Sequence, residues 1–225
     1  MSRPASPASL DLLGHAVQLT SRPRSADLLA HTRGWSAFAG LSGAQDRAVG
    51  AGQAWDQLLA QLASGERDAA VWVMGERGTD AAGGDALGDV QTVVWADERT
   101  PQGVLQALRS GRAYARRGTE PALVLEDFVV RTEEAEARSG AEASSRGRAA
   151  VRARVGATGG RGERLQVQLL RDGQVVVDRR GTAPLELVHR ETGIEPGRLV
   201  CYRLLAQSKG GRLVSNPVFV RGAQP

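Results

Sequence analysis

A glycine-rich segment, residues 75–89, carries the side chains of this chain that are best suited to bind a metal ion. It holds five glycines and three aspartates, Asp80, Asp85 and Asp89. Glycine at this density predicts a loop that turns tightly or lets a ligand approach its backbone. Oxygen ligands on such a loop suit Ca²⁺ or Mg²⁺, but the spacing differs from that of a calcium-binding loop. A lone aspartate such as Asp80 is more often a turn or capping residue.

The other groups that could act chemically are few and scattered. The three histidines, His15, His31 and His189, do not recur at metal-binding intervals. Cys201 is the only cysteine, and its apolar neighbours predict a buried, inert thiol. The sequence contains no Gly-x-Ser-x-Gly motif, no phosphate-binding loop and no zinc-protease helix. It therefore predicts no nucleophile that His189 would activate.

The basic charge of the chain does not by itself indicate a nucleic-acid partner. The net charge is +4, and the 29 basic residues, of which Lys209 is the only lysine, are interleaved with 25 acidic ones. A basic run with interleaved aromatic residues is absent. The sequence also lacks an apolar run of about 18 residues and a signal-peptide pattern. We therefore expect a soluble, cytoplasmic protein with no nucleic-acid and no membrane partner.

The first half of the chain has the pattern of an α/β domain. Residues 1–25, rich in proline and serine at their start, are expected to form a disordered or weakly ordered tail. Within residues 26–118 the apolar spacing from Gln53 onward predicts helix, strand, loop, strand, helix and strand. The second helix is expected to begin at Pro101 with Thr100 as its cap. Its buried stripe is predicted to comprise Val104, Leu105 and Leu108.

The second half, residues 119–225, has the pattern of an immunoglobulin-like all-β sandwich. Short segments of alternating apolar residues are separated by turns, and Asp172-Gly173 predicts a hairpin because both residues tolerate positive φ. The charged segment 132–147 is expected to be a flexible loop. The tryptophans lie in the first half, where Trp55, Trp72 and Trp95 are predicted to pack in the core and Trp35 is left undecided.

Five sequence pieces, taken in order, resemble a known family. They are Trp55-Asp56-Gln57-Leu58-Leu59-Ala60, Gly78-Thr79-Asp80, Thr92-Val93-Val94-Trp95-Ala96, Ala107-Leu108-Arg109-Ser110-Gly111-Arg112-Ala113-Tyr114 and Ser215-Asn216-Pro217-Val218-Phe219-Val220. This series is similar to the C-terminal end of PHP (polymerase and histidinol phosphatase) domain proteins, of the carbaryl-hydrolase-like phosphoesterase kind. Such proteins often carry a small β-sandwich after the barrel. The resemblance implies an α/β remnant of a PHP-type barrel followed by the immunoglobulin-like sandwich.

The metal motifs of that family are degenerate here. A PHP enzyme binds two or three metal ions through His, Asp and Glu side chains, and the ions activate water and polarise the phosphoryl group. The resemblance maps Asp80 onto a metal ligand and places His31 near another. No His-x-His pair is present, and Ala82 stands where the family has the histidine of its Asp-x-His motif. Alanine offers no lone pair to a metal.

These departures favour a pseudoenzyme, a non-catalytic PHP-family relative that acts as a binding or assembly module. No cofactor is expected, and any metal would be a divalent ion such as Mn, Fe or Zn at Asp80 and His31. The alternative is a metal-dependent phosphoesterase whose remaining ligands come from another chain. A truncated first-domain sheet would leave an open edge or apolar face, so we expect a protein partner, a homo-oligomer or an interdomain contact to cover it. A sandwich also leaves carbohydrate binding open, because fold alone does not specify a ligand.

Overall fold

The computed structural model describes residues 16–17, 34–42, 45–46, 48–76, 89–159 and 162–224, without side chains for residues 16, 17 and 45. Two helices are present in these ranges, α1 (Ala54–Ala63) and α2 (Pro101–Arg109). The strands of the first half are β1 (Ala16–Val17), β2 (Ala37–Ser42), β3 (Gln45–Asp46), β4 (Trp72–Glu76), β5 (Val90–Val94) and β6 (Ala113–Gly118). Those of the second half are β7 (Leu123–Thr132), β8 (Glu136–Arg138), β9 (Glu142–Ser145), β10 (Arg148–Ala157), β11 (Arg164–Arg171), β12 (Gln174–Thr182), β13 (Leu185–Thr192), β14 (Leu199–Ser208), β15 (Gly211–Ser215) and β16 (Val218–Gly222).

In the described part of the chain these strands form three sheets. Sheet A joins β1 and β4 in parallel to β2, with β3 antiparallel to the end of β2. Sheet B follows the path β12-β11-β14-β15-β6-β5, and β16 pairs with both β14 and β9. Sheet C has the antiparallel order β13-β10-β7-β8. Sheets B and C form a β-sandwich, as was predicted for residues 119–225, but sheet B also includes β5 and β6 from the first half.

The centre of sheet B, at β14, is buried on both faces, so sheets A, B and C form three layers there. Along β14, alternate side chains point to opposite faces of the sheet. Val200, Tyr202 and Leu204 belong to the sandwich core between sheets B and C. Cys201 and Leu205 belong to a second core that sheet B shares with sheet A and α1. Nearly every residue of β14 is therefore buried, as its continuous apolar run requires.

A buried ion pair connects the second core to α1. The guanidinium of Arg203 on β14 donates from Nε and Nη2 to the carboxylate of Asp56, each at 2.6 Å. It also donates to the carbonyl oxygens of Val49 and Gly50 at 3.0 Å and lies 4.9 Å from the ring centroid of Trp55. The Arg203 side chain is 1% exposed, so its charge is compensated entirely within the protein.

Two side chains, Asn216 between β15 and β16 and Thr92 on β5, make hydrogen bonds to the edge of β4 that faces away from β2. The Asn216 amide accepts a hydrogen bond from the Val73 N–H at 2.7 Å and donates to the Val73 carbonyl at 3.3 Å. Two residues further on, the Thr92 hydroxyl accepts from the Gly75 N–H at 3.0 Å and donates to its carbonyl at 3.1 Å. Alternate residues of a strand present their backbone N–H and C=O groups to the same edge. The two side chains therefore provide the hydrogen bonds that a neighbouring strand would otherwise make to Val73 and Gly75.

The predicted α/β remnant of a PHP-type barrel is wrong. The described residues contain only two short helices, and the structure is mostly β-sheet. Strands β5 and β6 pair antiparallel and extend sheet B, which also contains β14. The alternation of helix and strand in this segment suggested parallel βαβ units, but α2 connects two antiparallel neighbours instead.

The structure also tests several local predictions made from the sequence. The hairpin between β11 and β12 turns at Asp172 and Gly173, whose φ values are 50° and 81°, as predicted. Cys201 is buried, as predicted, and burial raises the pKa of its thiol well above the ordinary value. Segment 132–147, expected to be a flexible loop, contains β8 and β9. None of the helices described here has the length and apolar character needed to cross a membrane.

Candidate functional site

An apolar cleft of about 1080 Å³ lies between α2, the end of β5 and the β7–β8 pair. Its apolar walls come from Val94, Trp95, Ala96, Pro101, Val104, Leu105, Leu108 and Phe128. Its polar and charged lining comes from Asp97, Arg99, Thr100, Arg112, Glu126, Asp127, Arg138 and Ser139. The volume is of the size that holds a small-molecule ligand.

Helix α2 forms one wall; it is capped at its N-terminal end and attached to β4 at its C-terminal end. The Thr100 hydroxyl accepts a hydrogen bond from the Gly103 N–H at 3.1 Å, which confirms the predicted cap. At the other end, the indole Nε1 of Trp72 donates to the Arg109 carbonyl at 2.9 Å. The Trp72 contact holds the C-terminal end of the helix in place, and neither contact involves its apolar face.

The apolar stripe of α2 lines the cleft instead of packing in a core. Ala107 is the only residue of the helix that is buried. Val104 is 37% exposed, and Leu105 and Leu108 are half-buried. The sequence predicted these three residues as a buried apolar stripe. They do share one face of the helix, but the prediction that this face is buried is wrong. In the described chain these side chains line the cleft of about 1080 Å³, so they stay partly exposed.

Trp95 provides a second apolar wall. It was predicted to pack in the core, but 36% of it is exposed, whereas Trp35, Trp55 and Trp72 are buried. Its ring lies 5.2 Å from the ring of Tyr114, at an interplanar angle of 45°, and its backbone N–H donates to the Arg112 carbonyl at 2.9 Å. The Trp95 indole therefore packs against Tyr114 and presents its exposed surface to the cleft.

Arginine–carboxylate pairs surround the apolar walls. Asp97 accepts from Arg112 at 2.7 Å, and Asp127 accepts from Arg138 and Arg152, each at 2.8 Å. Partial burial would raise the pKa of Asp127, but the hydrogen bonds from the two arginines outweigh it and hold this pKa below its ordinary value. Asp127 therefore stays ionised and paired near neutral pH.

One buried polar group in the lining has no hydrogen-bond partner in the described part of the chain. Ser139 is 2% exposed, and its Oγ makes no hydrogen bond. The neighbouring Gly140 (φ 85°) donates its N–H to the Pro217 carbonyl at 2.7 Å, and a Cβ at this position would overlap the Ser110 carbonyl at the end of α2. This close approach holds Ser139 against the cleft. A buried hydroxyl without a partner is unusual, since almost all such groups are hydrogen-bonded.

The candidate site residues singled out from the sequence are not among the described residues that line the cleft. Asp80 and His31, the two proposed metal ligands, fall outside the described residues. His189 lies between the two sheets of the sandwich, with Nε2 3.9 Å from the Glu191 carboxylate and its ring 6.4 Å from that of Tyr202. Among the described residues, no group of three or more His, Cys, Asp and Glu side chains is arranged to bind a metal ion.

Sequence reasoning missed the cleft for two separate reasons. The stripe Val104, Leu105 and Leu108 was visible, but apolar periodicity shows which face of a helix is apolar and not what lies opposite. Ser139 carried no signal, because it sits in a charged segment whose strands were not predicted.

Comparison with known proteins gives this chain no family. No protein-family model matches it, and no curated protein matches it significantly. It is similar to the crystal structure of an engineered protein determined at 1.98 Å by the Northeast Structural Genomics Consortium, with 16% identity over 83% of this chain and a TM-score of 0.25. The match spans 40% of that longer chain. At this TM-score the likeness carries no structural or functional argument.

Proposed function

We propose that this protein is a non-catalytic binding module and that its ligand occupies the cleft beside α2. The observation that carries this proposal is the uncovered stripe of α2. Val104, Leu105 and Leu108 face a cleft of about 1080 Å³ rather than a core. Apolar concave surfaces of this size with a few convergent polar groups are characteristic of ligand sites.

The chemistry of the lining favours binding over catalysis. A serine nucleophile needs a base within hydrogen-bond reach, and no described group makes a hydrogen bond to the Ser139 hydroxyl. The carboxylates Asp97 and Asp127 are occupied by arginines, so they are poor general bases. Bound ligand would therefore be held rather than converted.

The second function suggested by the sequence was a metal-dependent phosphoesterase completed by another chain. It depends on Asp80 and His31, which lie outside the described residues, so the cleft gives it no support. Metal analysis of the purified protein separates the two functions. The binding module is expected to contain far less than one equivalent of Mn, Fe or Zn, whereas a metal centre would give stoichiometric metal that Asp80→Ala removes.

Binding in the cleft is tested with Nile red, a neutral apolar dye whose fluorescence rises in apolar surroundings. We expect saturable binding to the intact protein. Val104→Arg should weaken it about tenfold, because it places a charge among the apolar walls. The matched control is Val176→Arg on β12, since Val176 and Val104 are 38% and 37% exposed and Val176 lies outside the cleft. Absence of saturable binding, or equal weakening by both substitutions, would contradict the proposal.

A further inference from the structure

The cleft offers a flat surface to a ring-shaped ligand. Trp95 is exposed by 36%, lines the cleft and is supported by Tyr114. A large, rigid aromatic side chain of this kind binds planar groups at little entropic cost. The stripe of α2, with Val104 and Leu108, adds a second apolar wall of the same cleft.

The charged lining residues select against a ligand with a charge inside the cleft. Each of the three carboxylates already accepts from arginine: Asp97 from Arg112, Glu126 from Arg154, and Asp127 from Arg138 and Arg152. Arg99 is the only charged lining residue for which the described chain shows no ion pair, and it is exposed to water. A cationic ligand group would break an existing pair or lie unpaired against apolar side chains, which is unfavourable. An anionic group would find only Arg99, whose exposure to water makes such a pair weak.

The Ser139 hydroxyl defines the polar group that the ligand must carry. It is both a donor and an acceptor, and it is buried without a partner in the described chain. A single carbonyl or hydroxyl on the ligand would satisfy it. A sugar carries many hydroxyls, and the cleft offers only this one unpartnered neutral polar side chain among the described residues, so a glycan fits less well.

We infer that the cleft binds a neutral, fused-ring small molecule that bears one carbonyl or hydroxyl group. The ring lies between Trp95 and the stripe of α2, and the oxygen hydrogen-bonds to Ser139. This inference rests on the proposed function, because it names the ligand class of the same cleft. The carbonyl or hydroxyl gives orientation, and the apolar walls give most of the affinity.

Three naphthalenes of similar size test the inference by displacement of Nile red from the intact protein. They are 2-acetylnaphthalene with a carbonyl, 2-ethylnaphthalene without one, and the anion 2-naphthoate. We expect the acetyl compound to bind about fivefold more tightly than the ethyl compound, as one neutral hydrogen bond provides, and the naphthoate to bind most weakly. Ser139→Ala should bring the ratio of the two affinities close to one, because the hydroxyl that distinguishes the acetyl compound is gone.

The outcomes separate this inference from the proposed function. Equal affinities for the acetyl and ethyl compounds in the unmodified protein, or an advantage that survives Ser139→Ala, would overturn the inference while leaving a binding cleft. Tighter binding of naphthoate that Arg99→Gln abolishes would overturn it in favour of an anionic ligand. Failure of Nile red and all three naphthalenes to bind would remove the proposed function itself. If Ser139→Ala does not fold, judged by circular dichroism, the affinity ratio in the unmodified protein decides.

Discussion

At the scale of single residues, the ion pair between Arg203 and Asp56 is almost fully removed from water, with 1% and 5% of the two side chains accessible. Arg203 makes four hydrogen bonds, two to Asp56 and two to backbone carbonyls, so every part of its charge is matched. Taking two charges out of water is costly, and this geometry offsets the cost only while both partners are present. The pair therefore specifies how α1 sits on sheet B more than it adds net stability.

Removing one partner should be far more damaging than removing both. We expect Arg203→Met to lower the free energy of unfolding by about 3–5 kcal/mol, because it leaves the Asp56 carboxylate buried and unpaired. Adding Asp56→Leu should restore most of that loss. Urea denaturation of the two variants measures both values.

The matched control for this prediction is Arg221→Met. Arg221 also pairs with a carboxylate through two hydrogen bonds, but the pair is exposed, with 48% of the Arg221 side chain and 43% of the Glu142 side chain accessible. An exposed pair contributes about 1 kcal/mol or less. If Arg203→Met were no more destabilising than this control, the buried pair would not be what fixes α1 on β14.

At the scale of elements, β4 depends on side chains for one of its edges. Asn216→Ala would leave the buried N–H and C=O of Val73 without partners, and we expect it to cost about 1–3 kcal/mol. Amide hydrogen exchange at Val73 should accelerate in this variant.

Thr92 provides the second pair of hydrogen bonds to this edge. Thr92→Ser keeps the hydroxyl that bonds Gly75 and should leave the free energy of unfolding nearly unchanged, whereas Thr92→Val should remove the protection of the Gly75 amide from exchange. Unchanged exchange at both amides would show that the two side chains do not secure this edge.

Elements governed by local patterns were predictable from the sequence. The apolar spacing that includes Trp55 and Leu58 predicted α1, and Thr100-Pro101 predicted the start of α2. Asp172-Gly173 predicted its hairpin because the positive φ values are properties of those two residues. In each case the information lies within about ten residues, which is the range over which periodicity, capping and turn chemistry act.

Features set by distant contacts were not predictable in this way. Strand β6 pairs with β15, so that Ala115 lies opposite Val214. No local sequence pattern in either strand indicates that the two will pair. This pairing places β5 and β6 in sheet B and excludes the barrel remnant. The exposure of Trp95 has the same origin, because it depends on which strands and loops surround the cleft rather than on the strand pattern preceding it.

At the scale of the whole molecule, sheet B is a central layer that neither half of the chain completes alone. Residues 90–118 supply β5 and β6, and the second half supplies the other strands of the sheet. The face of sheet B that packs against sheet A and α1 includes apolar side chains from the second half: Leu170, Leu199, Leu205, Val214 and Phe219. A boundary near residue 118 therefore divides a sheet rather than separating two independent cores.

This architecture predicts how the protein unfolds. Burial of each of those five large side chains contributes about 1.5–3 kcal/mol, so uncovering them costs on the order of 10 kcal/mol, which is comparable to the whole stability of a typical domain. We therefore expect the intact chain to unfold in one cooperative transition, with calorimetric and van't Hoff enthalpies in agreement. Residues 119–225 expressed alone should be unfolded or aggregated, since they lack β6 and leave this face exposed to water. Two resolved transitions in the intact chain, or a dispersed amide NMR spectrum from residues 119–225, would instead show that the sandwich is stable without the first half.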